Sequence, residues 1–257
     1  MKKVFFAALL FFPLQLQMSV ASDCRFESDA AVLEKSDSHL LQYWEFSGNT
    51  VTDSVSLPDS PVLAAYRKSV EAQFDTDPNQ LLKRYSLTGP TPDDAFNLDV
   101  AMKSAPQSIR IIHCLEALLL DQQIKRTPQM LTEPTEFFAL YLRNTIGQLR
   151  VYFLTDDMGG VRGMGSLKTA VTVDLHAGWS FVGNLHNHSF SLDSLGDSLG
   201  HDRKTYPQGV LAPSANDMKV FQAMKADMGL QSASITNGFN TIWISSDDFA
   251  KYHSAAD

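Results

Sequence analysis

The sequence predicts an α+β fold in which a mixed β-sheet is flanked by helices and preceded by a helical N-terminal region. Three observations carry that expectation. Apolar residues recur at helical spacing through much of the chain up to residue 125; between residues 136 and 188 short aromatic and β-branched runs alternate with turn residues; and one helical pattern, 215–228, separates these from two further strand-like runs. Of 257 residues, 44% are apolar and 19% charged, enough for one sizeable core.

Lys2-Lys3 precede the apolar run Val4 to Phe12, and Ser19-Val20-Ala21 supplies the small residues of a cleavage site. Residues 1–21 are therefore expected to be a secretory signal peptide. The run is too short to span a bilayer, and Asp23 before Cys24 does not suit lipidation. The mature chain is thus expected to be periplasmic or secreted, with no stable membrane anchor. In that compartment the two cysteines, Cys24 and Cys114, are expected to pair. A formal charge of −8, with no clustered Lys and Arg, excludes nucleic acid as the main partner.

Taken in order, residues 22–103 read as the helical N-terminal region. Residues 30–46 and 61–74 carry apolar side chains at helical spacing, with Val62, Ala65, Tyr66, Val70 and Phe74 on one face, and a short helix covers 80–85. Tyr43 and Trp44 are expected in the core. Thr88 to Pro92 reads as a connector into a second domain, 104–257. There, a helix over 108–125 ends at Thr127-Pro128, and strands 136–143 and 148–154 flank the turn Asn144 to Gly147. A strand is expected over 169–175, and another from Trp179 to His188. After the helix at 215–228, strands 232–236 and 241–245 flank Asn237-Gly238-Phe239-Asn240.

The chemistry concentrates at His186-Asn187-His188. At the end of a strand, His186 and His188 share one face, with Cα atoms about 6–7 Å apart, and two imidazoles so placed can hold one metal ion. Downstream, Ser214 stands at a helix N-cap and Asp217 in the first turn. A carboxylate there is a candidate third ligand, which would leave one position open on a tetrahedral ion.

His-x-His followed by Ser-x-x-Asp resembles the signature of the JAMM (MPN-type) zinc metalloproteases. The resemblance covers roughly residues 108–245 and implies a cytidine-deaminase-like three-layer arrangement, a Zn2+ ion on His186, His188 and Asp217, and a peptide or protein substrate. It also implies that Ser214 helps to stabilise the oxyanion and that a general base lies upstream at the start of a strand. Glu136-Phe137-Phe138-Ala139-Leu140 is similar to that segment of the family, which favours Glu136 as the base over Glu116 and Glu133. Two features depart from the pattern. Ser189 stands where the family has Pro, and the insert Phe190 to Ala212 lengthens the spacer before Ser214. The insert is expected to flank the cleft, with His201 either a further ligand or a solvated loop residue.

Other readings compete. A peptidoglycan peptidase architecture needs an early His-Asp pair and Glu-x-x-His-x-His, but His113 and Asp121 are misspaced and Gly183 stands where that Glu belongs. A metal-free binding module of the MPN type would lack the histidines or the Asp. The tripeptide His-Asn-His invites comparison with a nuclease class, against which the acidic charge speaks.

Overall fold

A computed structural model describes residues 24–86, 91–156, 164–191 and 209–255. The expected signal peptide, and the part of the insert that contains His201, lie outside these residues. The fold is α+β, built on one eight-stranded sheet in the order β1-β2-β5-β4-β6-β7-β8-β3. The strands are β1 (Ala31–Lys35), β2 (His39–Phe46), β3 (Ile109–Ile111), β4 (Phe137–Arg143), β5 (Leu149–Asp156), β6 (Ser180–Asn187), β7 (Ser232–Thr236) and β8 (Asn240–Ser245). All neighbours run antiparallel except β6 and β7, which are parallel. The helices are α1 (Thr50–Asp53), α2 (Pro61–Glu71), α3 (Pro78–Ser86), α4 (Pro92–Ser108), α5 (Cys114–Arg126), α6 (Met164–His176) and α7 (Ala215–Met228), followed by a 3-10 turn, Ser246–Lys251.

Strand alternation divides the core in two. Phe137 and Ala139 of β4 and Val151 and Phe153 of β5 pack with α2 and α5, while Leu140, Leu142, Tyr152 and Leu154 pack with α4, α6 and α7. The central strands are therefore covered on both faces. The disulfide between Cys24 and Cys114 forms as expected, with Cα atoms 5.5 Å apart, and ties the start of the described chain to the first turn of α5.

Several expectations hold closely: the β4–β5 hairpin, β6, the helix after Ser214, and the hairpin of β7 and β8. Others are corrected. Residues 30–46 form not a helix but β1 and β2, because Leu41, Trp44 and Phe46 become buried when β2 pairs along its full length with β5. Trp44 sits edge-on to Phe153, and Arg150 pairs with Glu45, so tertiary pairing overrides the local pattern. Residues 169–175 form not a strand but most of α6, which buries Leu167, Val171 and Asp174 at helical spacing. Thr169 and Thr172 return their hydroxyls to the carbonyls of Gly165 and Lys168, at 2.9 and 2.7 Å, accommodating β-branched residues in the helix. The helix expected over 108–125 begins at Cys114; Ile109–Ile111 instead pair with β8. Residue 104 lies within α4, and β1 and β2 extend the same sheet that carries β6.

Among the described residues no helix is long and apolar enough to cross a membrane. Replacing both cysteines by serine is expected to lower the unfolding free energy by about 3–5 kcal/mol, since the bridge restrains a long loop of the unfolded chain. Denaturant titration of the oxidised protein beside the double variant measures this, and coincident curves would show that the bridge contributes nothing.

Candidate metal centre

The centre is built where a doubly paired strand ends beneath a helix N-terminus. β6 is hydrogen-bonded to β4 on one side and to β7 on the other. That pairing fixes the faces: His186 lies opposite Phe138 and Ile235, and the pairing extends past the strand end, where the His188 N–H donates to the Thr236 carbonyl at 2.9 Å. Both imidazoles are buried, each residue 4% exposed. Phe138 stacks over His186 on one side and Phe221 of α7 packs against it on another.

Asp217 reaches the imidazoles from the first turn of α7. Ser214 caps that helix: its hydroxyl accepts from the Asp217 N–H at 3.1 Å, while Asp217 Oδ2 accepts from the Ser214 N–H at 2.7 Å and from the Ser214 hydroxyl at 2.8 Å. The side chain that completes the capping box is thereby aimed at the end of β6.

The Nε2 atoms of His186 and His188 are 3.1 Å apart, and they lie 3.5 and 3.4 Å from Asp217 Oδ1 and Oδ2. A tetrahedral zinc ion with bonds of 2.0–2.1 Å would hold its donors about 3.3–3.4 Å apart. The three groups match that spacing closely enough to hold one metal ion. Two imidazole nitrogens and a carboxylate suit zinc or a neighbouring transition metal better than magnesium or calcium, which prefer all-oxygen sites. The His188 Nδ1–H donates to the Val210 carbonyl at 2.6 Å, which leaves the Nε2 lone pair directed at the centre.

Burial opposes charge at all three groups, and their mutual proximity decides the outcome. Burial lowers the His186 pKa. Burial also works against the charged form of His188, but pairing with Asp217, helped by the charge of Glu136, raises it above the ordinary range. Burial of Asp217 is outweighed by the two imidazoles, which hold the carboxyl well below the usual range. The pocket thus already favours positive charge beside Asp217.

Of the candidate bases, Glu136 is the one at this centre. It directly precedes β4, and extending the register in which Phe138 faces His186 by one two-residue step sets Glu136 across from His188. Burial raises its carboxyl, His188 opposes this and Asp217 adds to it, with a net result of about 7. Glu116 is elsewhere, held by Arg110, by the His113 N–H at 2.7 Å and by the Thr241 hydroxyl at 2.9 Å. Glu133 is exposed in the turn before β4. His113 and Asp121 also have other work: His113 Nδ1 contacts the Thr52 carbonyl, and Asp121 accepts from Ser60 and pairs with Lys125.

Sequence reasoning missed the groups that position these residues. The Asn187 amide accepts from the Phe137 N–H at 2.7 Å and donates to the Thr135 carbonyl at 3.1 Å, bracketing Glu136. Ser189, where the family pattern has Pro, donates to the same Thr135 carbonyl at 2.8 Å. Asp94 of α4 accepts from the Ala215 N–H at 2.9 Å and so holds the N-terminus of α7. Tyr85 of α3 lies in the field of Asp94 and Asp217; burial first, and these charges second, raise its phenol to about 12. Helix spacing in the N-terminal region gave no sign of either contact.

Alanine at His186, His188 or Asp217 is expected to weaken zinc binding by more than the roughly 10–100-fold typical of outer-shell changes; equilibrium dialysis with metal analysis would reveal undiminished uptake if any of them is not a ligand. Gly209 is a second test of the scaffold, since it has φ +68° and a Cβ there would come within 2.5 Å of the Phe190 ring. Gly209→Ala should destabilise the protein by about 1–3 kcal/mol in denaturant titrations. Comparison of the chain with protein-family models, with curated proteins and with solved structures finds no match.

Proposed function

We propose that this chain is a periplasmic or secreted zinc-dependent hydrolase of the JAMM type that cleaves a peptide or isopeptide bond. The observation that carries the reading is the meeting of a ligand set at tetrahedral spacing with a separate carboxyl, Glu136, whose pKa is raised to about 7. His186, His188 and Asp217 would hold the ion. When bound, zinc supplies Lewis acidity that polarises a carbonyl and acidifies water.

The chain's own residues supply the proton handling and the orientation. Glu136, as carboxylate, accepts the proton of the attacking water and returns it to the departing amine nitrogen, a task suited to a carboxyl with a pKa near the working pH. The backbone bracket from Asn187 and Ser189 restricts where that carboxyl can swing. The Ser214 hydroxyl donates to Asp217, so stabilising a substrate oxyanion requires it to exchange that bond. Tyr85 stays protonated at neutral pH, its phenol raised to about 12 by burial and by the charges of Asp94 and Asp217. Substrates suited to the compartment are peptidoglycan stem peptides, secreted proteins and isopeptide linkages.

Glu136→Gln should retain zinc and lower kcat by about 10²–10⁴-fold, while His188→Ala should lose both metal and activity. Zinc analysis beside a peptidase screen on the purified protein separates the outcomes. Stoichiometric zinc with no cleavage of any peptide would replace the hydrolase reading with that of a metal-containing binding module, and full activity in Glu136→Gln would remove Glu136 from the role of base.

A further inference from the structure

The two histidines of the centre are not supported alike. His188 has its Nδ1 proton placed on the Val210 carbonyl, whereas the buried Nδ1 of His186 has no hydrogen-bond partner among the described residues. A neutral imidazole that offers its Nε2 lone pair to a cation carries its proton on Nδ1, and a buried proton of that kind needs an acceptor.

A second orphan lies beside it. Asn184 is 1% exposed, and neither its amide oxygen nor its amide nitrogen has a partner among the described residues. It precedes His186 by two residues on β6, so the two side chains stand on the same face of the sheet. Its cross-strand neighbours are Leu140 and Ala233, and those of His186 are Phe138 and Ile235, so no flanking side chain can satisfy either group. The other buried polar side chains without partners are elsewhere: Tyr141 and Gln123 pack with the opposite core, Thr155 alternates with Leu154 onto that side of β5, and Thr127 ends α5.

We propose that Asn184 is the positioning residue for His186, its amide oxygen receiving the Nδ1 proton through one bridging water. Residues two apart on one face of a strand have Cα atoms roughly 6–7 Å apart, and two polar atoms joined by one water lie about 4.5–5 Å apart, so side chains reaching from those positions can share a single water. Such a link sets the tautomer and ring angle of one ligand as the Val210 carbonyl sets those of the other. It also gives a reason for a polar side chain in an apolar layer. The inference rests on the metal centre and not on peptidase chemistry.

The test uses zinc itself. Asn184→Leu keeps the volume and removes the acceptor, and Asn184→Ser keeps a hydroxyl that can accept from the same water. Competition with a chromophoric chelator should show zinc affinity falling about 10–100-fold in the Leu variant and within about threefold of the parent in the Ser variant. In the zinc-loaded parent, long-range proton–nitrogen spectra should show a protected His186 Nδ1–H that is lost or shifted in the Leu variant. Unchanged affinity together with an unchanged Nδ1 resonance in that variant overturns the proposal. Should the Leu variant not fold, the resonance in the parent and in the Ser variant decides, and its absence from the loaded parent counts against the link. Failure of the parent to bind zinc at all overturns the metal reading, a result distinct from failure of the Asn184 link alone.

Discussion

A carboxylate and two imidazoles held within 3.5 Å of one another and mostly out of water form the constraint on which the rest of the structure depends. Burying any one of them charged is costly, and burying them together is tolerable only because each offsets the others. The geometry has to be maintained by the scaffold, since relaxing Asp217 away from β6 would leave a buried carboxylate without its partners. That explains the investment around it: a strand paired on both sides, a reciprocal cap at the helix start and a third contact from Asp94.

The same logic links parts of the chain that look independent in sequence. α4 contributes Asp94 to the N-terminus of α7, α3 brings Tyr85 into the field of Asp217, and β1 and β2 extend the sheet on which His186 sits. Loosening the N-terminal region would therefore be felt at the centre, through the orientation of α7. The disulfide anchors the start of this region to α5, on the opposite face of the sheet.

The two places where the sequence differs from the JAMM-type pattern it resembles have contacts of their own. Ser189 cannot stiffen the backbone as Pro would, but its hydroxyl and the Asn187 amide converge on the Thr135 carbonyl and fix the segment that carries Glu136. At the C-terminal end of the insert, the described residues resume at Gly209, and the Val210 carbonyl orients His188. A position with φ +68° packed against the Phe190 ring suits glycine and little else. A longer spacer thus still supplies the contact the second histidine needs.

How much was legible followed from the range of the interaction involved. Local patterns alone determined the β4–β5 hairpin, the run of β6, the cap and length of α7 and the shared face of His186 and His188, because alternation, turn chemistry and capping act over a few residues. The pairing of Cys24 with Cys114 was also readable, since only two cysteines exist. Tertiary structure alone decided that residues 31–35 and 39–46 are strands, since β2 gains its burial from β5, more than a hundred positions away. It alone decided that the Val- and Thr-rich 169–175 winds into α6, whose buried stripe includes an Asp174 neutralised by Arg150. Above all it set Glu136, and not Glu116 or Glu133, beside the imidazoles, because which carboxyl faces them depends on the register between β4 and β6, and a one-residue slip would turn it to the other side.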